Sequence, residues 1–157
     1  MTDLIATHSI RSRILTRLGD RCHNLVALLP DDRESTPAVY WARQRLEPSE
    51  VPAVVIIPQT EQAERQYGVD LMSMPVSISM VCLLGDWLPV DLAEYLLAQM
   101  RKEIPGTDTT LAGLAIDIKY IGGGVDDYPQ DTDQAMVCTT AWEILYETQN
   151  NNPFEQP

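Results

Sequence analysis

Apolar side chains recur along this chain with two different periods, and these periods predict its helices and strands. Ile10, Ile14 and Leu18 repeat every four residues, which predicts an amphipathic helix that Gly19-Asp20 stops or interrupts, and residues 22–29 could add a further helical turn or two. A second helix is predicted over 88–104, because its apolar stripe has the same spacing and Pro105-Gly106 follows it.

Strands are predicted where apolar residues alternate with polar ones or form short β-branched runs. The expected strands are residues 38–46, 53–57, 74–84, 114–121 and 134–148. The last strand should present one apolar side, formed by Met136, Cys138, Thr140, Trp142, Ile144 and Tyr146. Residues 58–70 are polar and are predicted to form an arm or long hairpin. Residues 122–133 are predicted to form a loop, and residues 149–157 a flexible tail.

The predicted order of elements is α-β-β-β-α-β-β. Two helices packed on one face of a mostly antiparallel sheet of about five strands make an α+β domain. A chain of 157 residues suits one such domain, so residues 1–157 are expected to form a single unit. Strand–helix–strand alternation does not extend along the chain, which disfavours a doubly wound nucleotide-binding fold.

The charge is strongly acidic and unevenly distributed. The chain carries 11 basic and 23 acidic residues, a formal net charge of -12, which repels nucleic-acid phosphates. Residues 1–45 hold seven arginines and five acids, whereas residues 46–157 hold four basic residues and eighteen acids. A basic end and an acidic end suit head-to-tail packing of identical copies. The alternative is an acidic surface that only keeps the protein soluble.

The residues that could carry chemistry form no catalytic pattern. Gly122-Gly123-Gly124 precedes VDDYPQDTD, which cannot begin a helix well, so a phosphate cradle is disfavoured. The aspartates of this segment do not have calcium-loop spacing, so a solvated acidic loop, or one that faces arginines of a neighbouring subunit, is favoured over a weak divalent site. No nucleophile or metallohydrolase motif occurs. We therefore predict neither an enzyme nor a bound cofactor or metal.

The cysteines indicate a reducing compartment. Cys22, Cys82 and Cys138 are widely spaced and odd in number, so buried thiols are expected rather than disulfides or a zinc site. No signal peptide is recognisable, and no segment has the ~20 consecutive apolar residues that span a bilayer. The protein is expected to be made in a cytoplasm and not to associate with a membrane.

Four segments together resemble a known family. They are the helix SIRSRILTRLGD, the strand and polar arm EVPAVVIIPQTEQAER, the strand MPVSISMVCLL with the helix VDLAEYLLAQMRKEI, and the hairpin AIDIKYIGGGVDDYPQDTDQAMVCTTAWEILYET. Their order, spacing and character, over residues 9–148, resemble the tail terminators of long-tailed bacteriophages. That group includes minor tail protein U of lambda-like phages.

The resemblance implies a structural virion protein that forms a hexameric ring at the head-proximal end of the tail. Such a ring caps the tail tube, ends its polymerisation and provides the interface to the head or neck. The implied partners are further copies of the chain, the tail tube protein and a neck or head-completion protein, with DNA only passing through the lumen. The alternatives are another neck or head–tail joining protein and a small acidic protein-binding domain.

The predicted interface residues are charged. Basic groups expected to meet a neighbour's acids are Arg11, Arg13, Arg17, Arg43 and Arg45. Two polar segments, 59–67 and 122–133, are expected to project toward partners or the lumen. The charged residues selected in them are Glu61, Glu64, Arg65, Asp126, Asp127, Asp131 and Asp133.

Overall fold

The computed structural model describes residues 8–30, 38–131 and 134–157. Within these ranges it contains two helices, α1 (Ile10–Val26) and α2 (Pro89–Glu103). The strands are β1 (Ala38–Trp41), β2 (Ala53–Pro58), β3 (Gln62–Gln66), β4 (Val69–Leu83), β5 (Asp117–Gly124) and β6 (Ala135–Gln149). A short 3-10 turn, Pro48–Glu50, precedes β2.

Helix α1 has the predicted buried stripe but is longer than expected. The Ser9 hydroxyl accepts a hydrogen bond from the Ser12 amide at 3.1 Å and caps the helix. The expectation that Gly19-Asp20 stops or interrupts the helix is wrong, because α1 continues to Val26, so the further helical turns considered for 22–29 do form in their first part. Gly19 instead allows the Trp41 ring to pack closely against the helix, because a Cβ at this position would lie 2.8 Å from that ring.

The strands form one six-stranded sheet in the order β1-β2-β4-β6-β5, with β3 also beside β4. Among the described strands only β1 and β2 pair in parallel, so the predicted α+β class with a mostly antiparallel sheet is confirmed. The element order is α-β-β-β-β-α-β-β, one strand more than expected. The additional strand is β3, whose five residues are all exposed and therefore show no apolar alternation.

The largest differences from the predicted boundaries lie in β1, β4 and β5. Strand β1 ends at Trp41 rather than 46, because Ala42 has a φ of 54°, which leaves the extended region. Strand β4 begins at Val69 and pairs with β6 over its whole length. The glycine run was expected in a loop, but it extends β5 to Gly124 after a register shift between Tyr120 and Gly122.

The predicted apolar side of β6 is confirmed. All six of its inward residues are buried, and all of them except Thr140 belong to one cluster with both helices and with alternate residues of β2 and β4. The polar atoms among them are paired. The Trp142 indole donates to the Thr140 hydroxyl at 2.7 Å, and that hydroxyl donates to the Ile78 carbonyl at 3.0 Å.

The C-terminal segment, which we expected to be a flexible tail, is attached to the domain by hydrogen bonds. The Ile10 amide donates to the Pro153 carbonyl at 2.8 Å, beside the start of α1. The Gln156 side chain donates to the Gly113 carbonyl at 2.7 Å, before β5. The segment therefore satisfies backbone groups that the helix start and a loop leave open.

Candidate interaction surfaces

The predicted interface arginines of α1 differ in their partners, because Arg11 forms an ion pair within the chain. Arg11 forms an ion pair with Glu61 at 2.8 Å and donates to the Gln59 carbonyl at 2.9 Å. The Tyr146 hydroxyl donates to the same Glu61 carboxylate at 2.6 Å. Burial, and next the Glu61 hydrogen bond, raise the pKa of Tyr146. Arg11 and Glu61, both predicted to face partners, are thus joined within one chain.

Arg13 and Arg17 make no ion pair with any residue that the structure describes. They line an open cleft of about 650 Å³ together with Leu114 and Gln156. Asp20 borders the same cleft but is not within ion-pair distance of either arginine. Both guanidinium groups therefore keep unused donors at the surface.

The other two predicted interface arginines, Arg43 and Arg45, also differ in their ion pairing among the described residues. Arg43 forms an ion pair with Glu50 at 2.8 Å and lies over the Tyr40 ring at 5.3 Å. The hydrogen bond from the Glu47 amide is the main cause that lowers the pKa of Glu50. Arg45 is exposed and has no ion pair among the described residues.

The predicted arm is a hairpin formed by β3 and the first part of β4. Its tip carries Tyr67, which is fully exposed, and Gly68, whose φ of 81° allows the tight turn. Arg65 contacts Asp70 at 3.4 Å and also donates to the Asn151 side chain. Glu64 is exposed and has no ion pair within the described ranges.

The segment that connects β5 to β6, the aspartate loop (residues 125–134), carries unpaired acids. Asp126, Asp127 and Asp131 are exposed, and none of the ion pairs among described residues includes them. Gln134 orders part of the loop, since its side-chain oxygen accepts from the Gln130 amide at 2.8 Å. Asp133, the remaining predicted residue, lies outside the described residues.

An apolar surface that we did not predict lies on the sheet. The residues that alternate with the core positions form the second sheet face, and Val51, Val55 and Val81 make a separate buried cluster there. They line an open groove of about 350 Å³ with Val137, which is 46% exposed. The signal was in the sequence, because the second half of the segment 74–84 is apolar at every position.

The described residues offer little reactive chemistry. All three cysteines are buried thiols, and burial raises the pKa of Cys22 to about 12. Burial, and next the Glu94 charge, raise the pKa of Cys138 to about 11. In the described ranges, no three of the His, Cys, Asp or Glu side chains are grouped so that they could hold a metal ion. The charged and apolar surfaces described above are the candidate interaction features.

No protein-family model matches the chain, and no curated protein matches it. Within the described part of the chain, neither α1 nor α2 is long and apolar enough to cross a membrane.

Proposed function

We propose that this protein is a structural virion subunit that caps the tail tube as a ring. The ring ends tail polymerisation and presents the interface to the head or neck. The observation that carries the proposal is the second sheet face, an open apolar surface on a strongly acidic protein. The resemblance of the sequence to tail terminators supplies the identity of the assembly.

The second sheet face has the character of a protein–protein interface. Val137 is 46% exposed, and its neighbours on β6, Ala135 and Ala141, are exposed as well. Across the sheet, the buried Val55 and Val81 line the groove beside it, and the Ser79 hydroxyl is 2.8 Å from that of Thr139. Apolar patches rimmed by polar residues mark interaction sites, because their burial is favourable by about 25 cal/mol per Å².

Termination follows from unequal ring faces. One face of the ring complements the open end of the tube, and the other does not, so no further tube subunit can add. The second face then receives a neck or head-completion protein. DNA passes through the lumen without binding, because a chain with a net charge of -12 repels phosphates. No catalytic step is needed for this role, and we propose none.

Substitution on the second sheet face tests the proposal directly. The Val137→Glu variant should fold normally, because the side chain is already half exposed, but it should self-associate poorly and fail to cap tubes. Val90→Glu is the matched control, since Val90 is 58% exposed at the start of α2, away from this face. Mass photometry would report assembly. The length distribution of tail tubes polymerised with each variant would report capping.

Three outcomes separate the proposal from its alternatives. Overlong tails in a phage that lacks the protein are expected for a terminator. Tailless heads together with free tails of normal length would instead indicate a head–tail joining protein. A wild-type protein that stays monomeric and has no affinity for tubes would contradict both and favour a small acidic protein-binding domain.

A further inference from the structure

We propose that copies of this chain contact each other through two different charged surfaces. Arg13 and Arg17 on α1 of one copy bind Asp126 and Asp127 in the aspartate loop of the next copy. The inference rests on the proposed function, because it names the contact by which the subunits of the ring recognise one another.

The arginine surface, formed by Arg13 and Arg17 of α1, is suited to bind an anionic group of another molecule. Arg13 and Arg17 are four residues apart, so their side chains lie on the same face of α1. Arg17 is exposed and Arg13 is half-buried, whereas Arg11 at the start of the helix is already held by Glu61. Two guanidinium groups one helical turn apart can each bind a carboxylate with two hydrogen bonds.

The aspartate loop supplies the matching charge. Asp126 and Asp127 directly follow β5 and its first loop residue, and both are exposed. Adjacent carboxylates repel each other, and no cation among the described residues forms an ion pair with either. Two arginines of another molecule would remove this repulsion.

The topology prevents the two surfaces from meeting within one chain. Leu114, which borders the arginine cleft, lies three residues before β5, whereas the aspartates follow the end of that strand. Strand β5 has eight residues, which at about 3.3 Å each span roughly 25 Å. Screening lengths are about 8 Å at physiological salt, so the opposite charges do not neutralise one another inside the monomer.

The two separated surfaces of opposite charge favour a second copy of this chain as the binding partner. Each copy carries one surface of each sign, so a contact between two copies leaves one unpaired surface at either end. Contacts between unlike surfaces propagate until a ring closes or a filament grows. A general repulsion between copies of net charge -12 opposes association, and a local pairing of opposite charges offsets part of this repulsion. The contact therefore has the directionality that a closed ring needs.

Two charge-reversal variants test the contact. One is Arg13→Glu with Arg17→Glu, and the other is Asp126→Arg with Asp127→Arg. We expect each alone to associate roughly tenfold or more weakly than wild type, because every contact then joins like charges. An equimolar mixture should assemble again, since the reversed surfaces meet in one contact and the unchanged surfaces meet in the next. An alternating ring of this kind closes with an even number of copies.

Controls separate charge from folding. Arg101→Glu with Lys102→Glu changes the net charge by the same amount as the arginine variant, at two exposed positions near the end of α2 and outside the cleft. It should assemble like wild type. Arg17→Glu alone, at an exposed position, repeats the test if the double substitution disturbs α1. Circular dichroism verifies the fold of each variant.

The results distinguish the contact from the function. Reversal variants that assemble like wild type, or a mixture of folded variants that stays dissociated, would overturn the contact while the ring itself stands. Wild-type protein that forms no multimer, alone or on tail tubes, would overturn the proposed function. Assembly that weakens as sodium chloride rises from about 0.1 to about 1 M is expected, because screening then shortens to about 3 Å.

Discussion

Removal of one buried hydroxyl group should destabilise the protein measurably. Thr140 is fully buried and holds two neighbours, since its oxygen accepts from the Trp142 indole and donates to the Ile78 carbonyl. Thr140→Val keeps the shape but leaves the buried indole N–H and the carbonyl without this partner. A buried polar group that loses its partner costs about 1–3 kcal/mol, so we expect a loss near 2 kcal/mol.

The adjacent position is a matched control. Thr139 lies on the second sheet face, half-buried, and its hydroxyl pairs with that of Ser79 at 2.8 Å. Water can reach this pair, so Thr139→Val should cost less than about 1 kcal/mol.

Urea unfolding at one fixed protein concentration would measure both losses. For m-values of about 1–3 kcal/mol per M, Thr140→Val should lower the unfolding midpoint by roughly 1 M, with m unchanged. If the two variants unfolded at the same midpoint, the buried hydroxyl would not stabilise the core in the way we infer.

Three further predictions concern pH, thiols and the C-terminal segment. Hydrogen bonds from the Thr110 side chain and nearby amides lower the pKa of Asp108 to about 2. The stabilisation by the Asp108 carboxylate should be complete above pH ~4, the ordinary pKa range of Asp, and should be lost as the pH falls through about 2. The Asp108→Asn variant should therefore unfold more easily than wild type above pH ~4, and the difference should disappear near pH ~2. The three buried cysteines, with the pKa of Cys22 at about 12, should be inert to a thiol reagent in native protein and react in denaturant. Truncation after Gln149 removes the Pro153 carbonyl and should speed hydrogen exchange at the Ile10 amide, whereas unchanged exchange would contradict the attachment.

The strength of the periodic signal explains which elements could be predicted. Helix α2 and strand β6 were placed correctly because each buries one face over fifteen residues, so a whole set of apolar positions repeats. Strand β3 was predicted only as part of an arm or long hairpin and was not counted in the predicted sheet, since all five of its side chains are exposed. Its place in the sheet depends on backbone hydrogen bonds to β4, which leave no mark on side-chain polarity.

The candidate interaction surfaces could likewise be predicted from the sequence only in part. The sequence identified the charged residues, but it could not indicate which of them are paired across large separations. Arg11 and Glu61, fifty residues apart, are joined, while Arg13 and Arg17 on the same helix have no ion pair among the described residues. The difference depends on where the β2–β3 junction passes α1, because Arg11 also reaches the Gln59 carbonyl.

The sequence by itself determined the α+β class, the two helices and the inward side of β6, because local periodicity decides which face of an element becomes buried. Only the tertiary structure decided which charges remain available and that an apolar sheet face stays open. Both depend on contacts between segments far apart in the chain, and no local pattern of residues specifies the distance between two such segments.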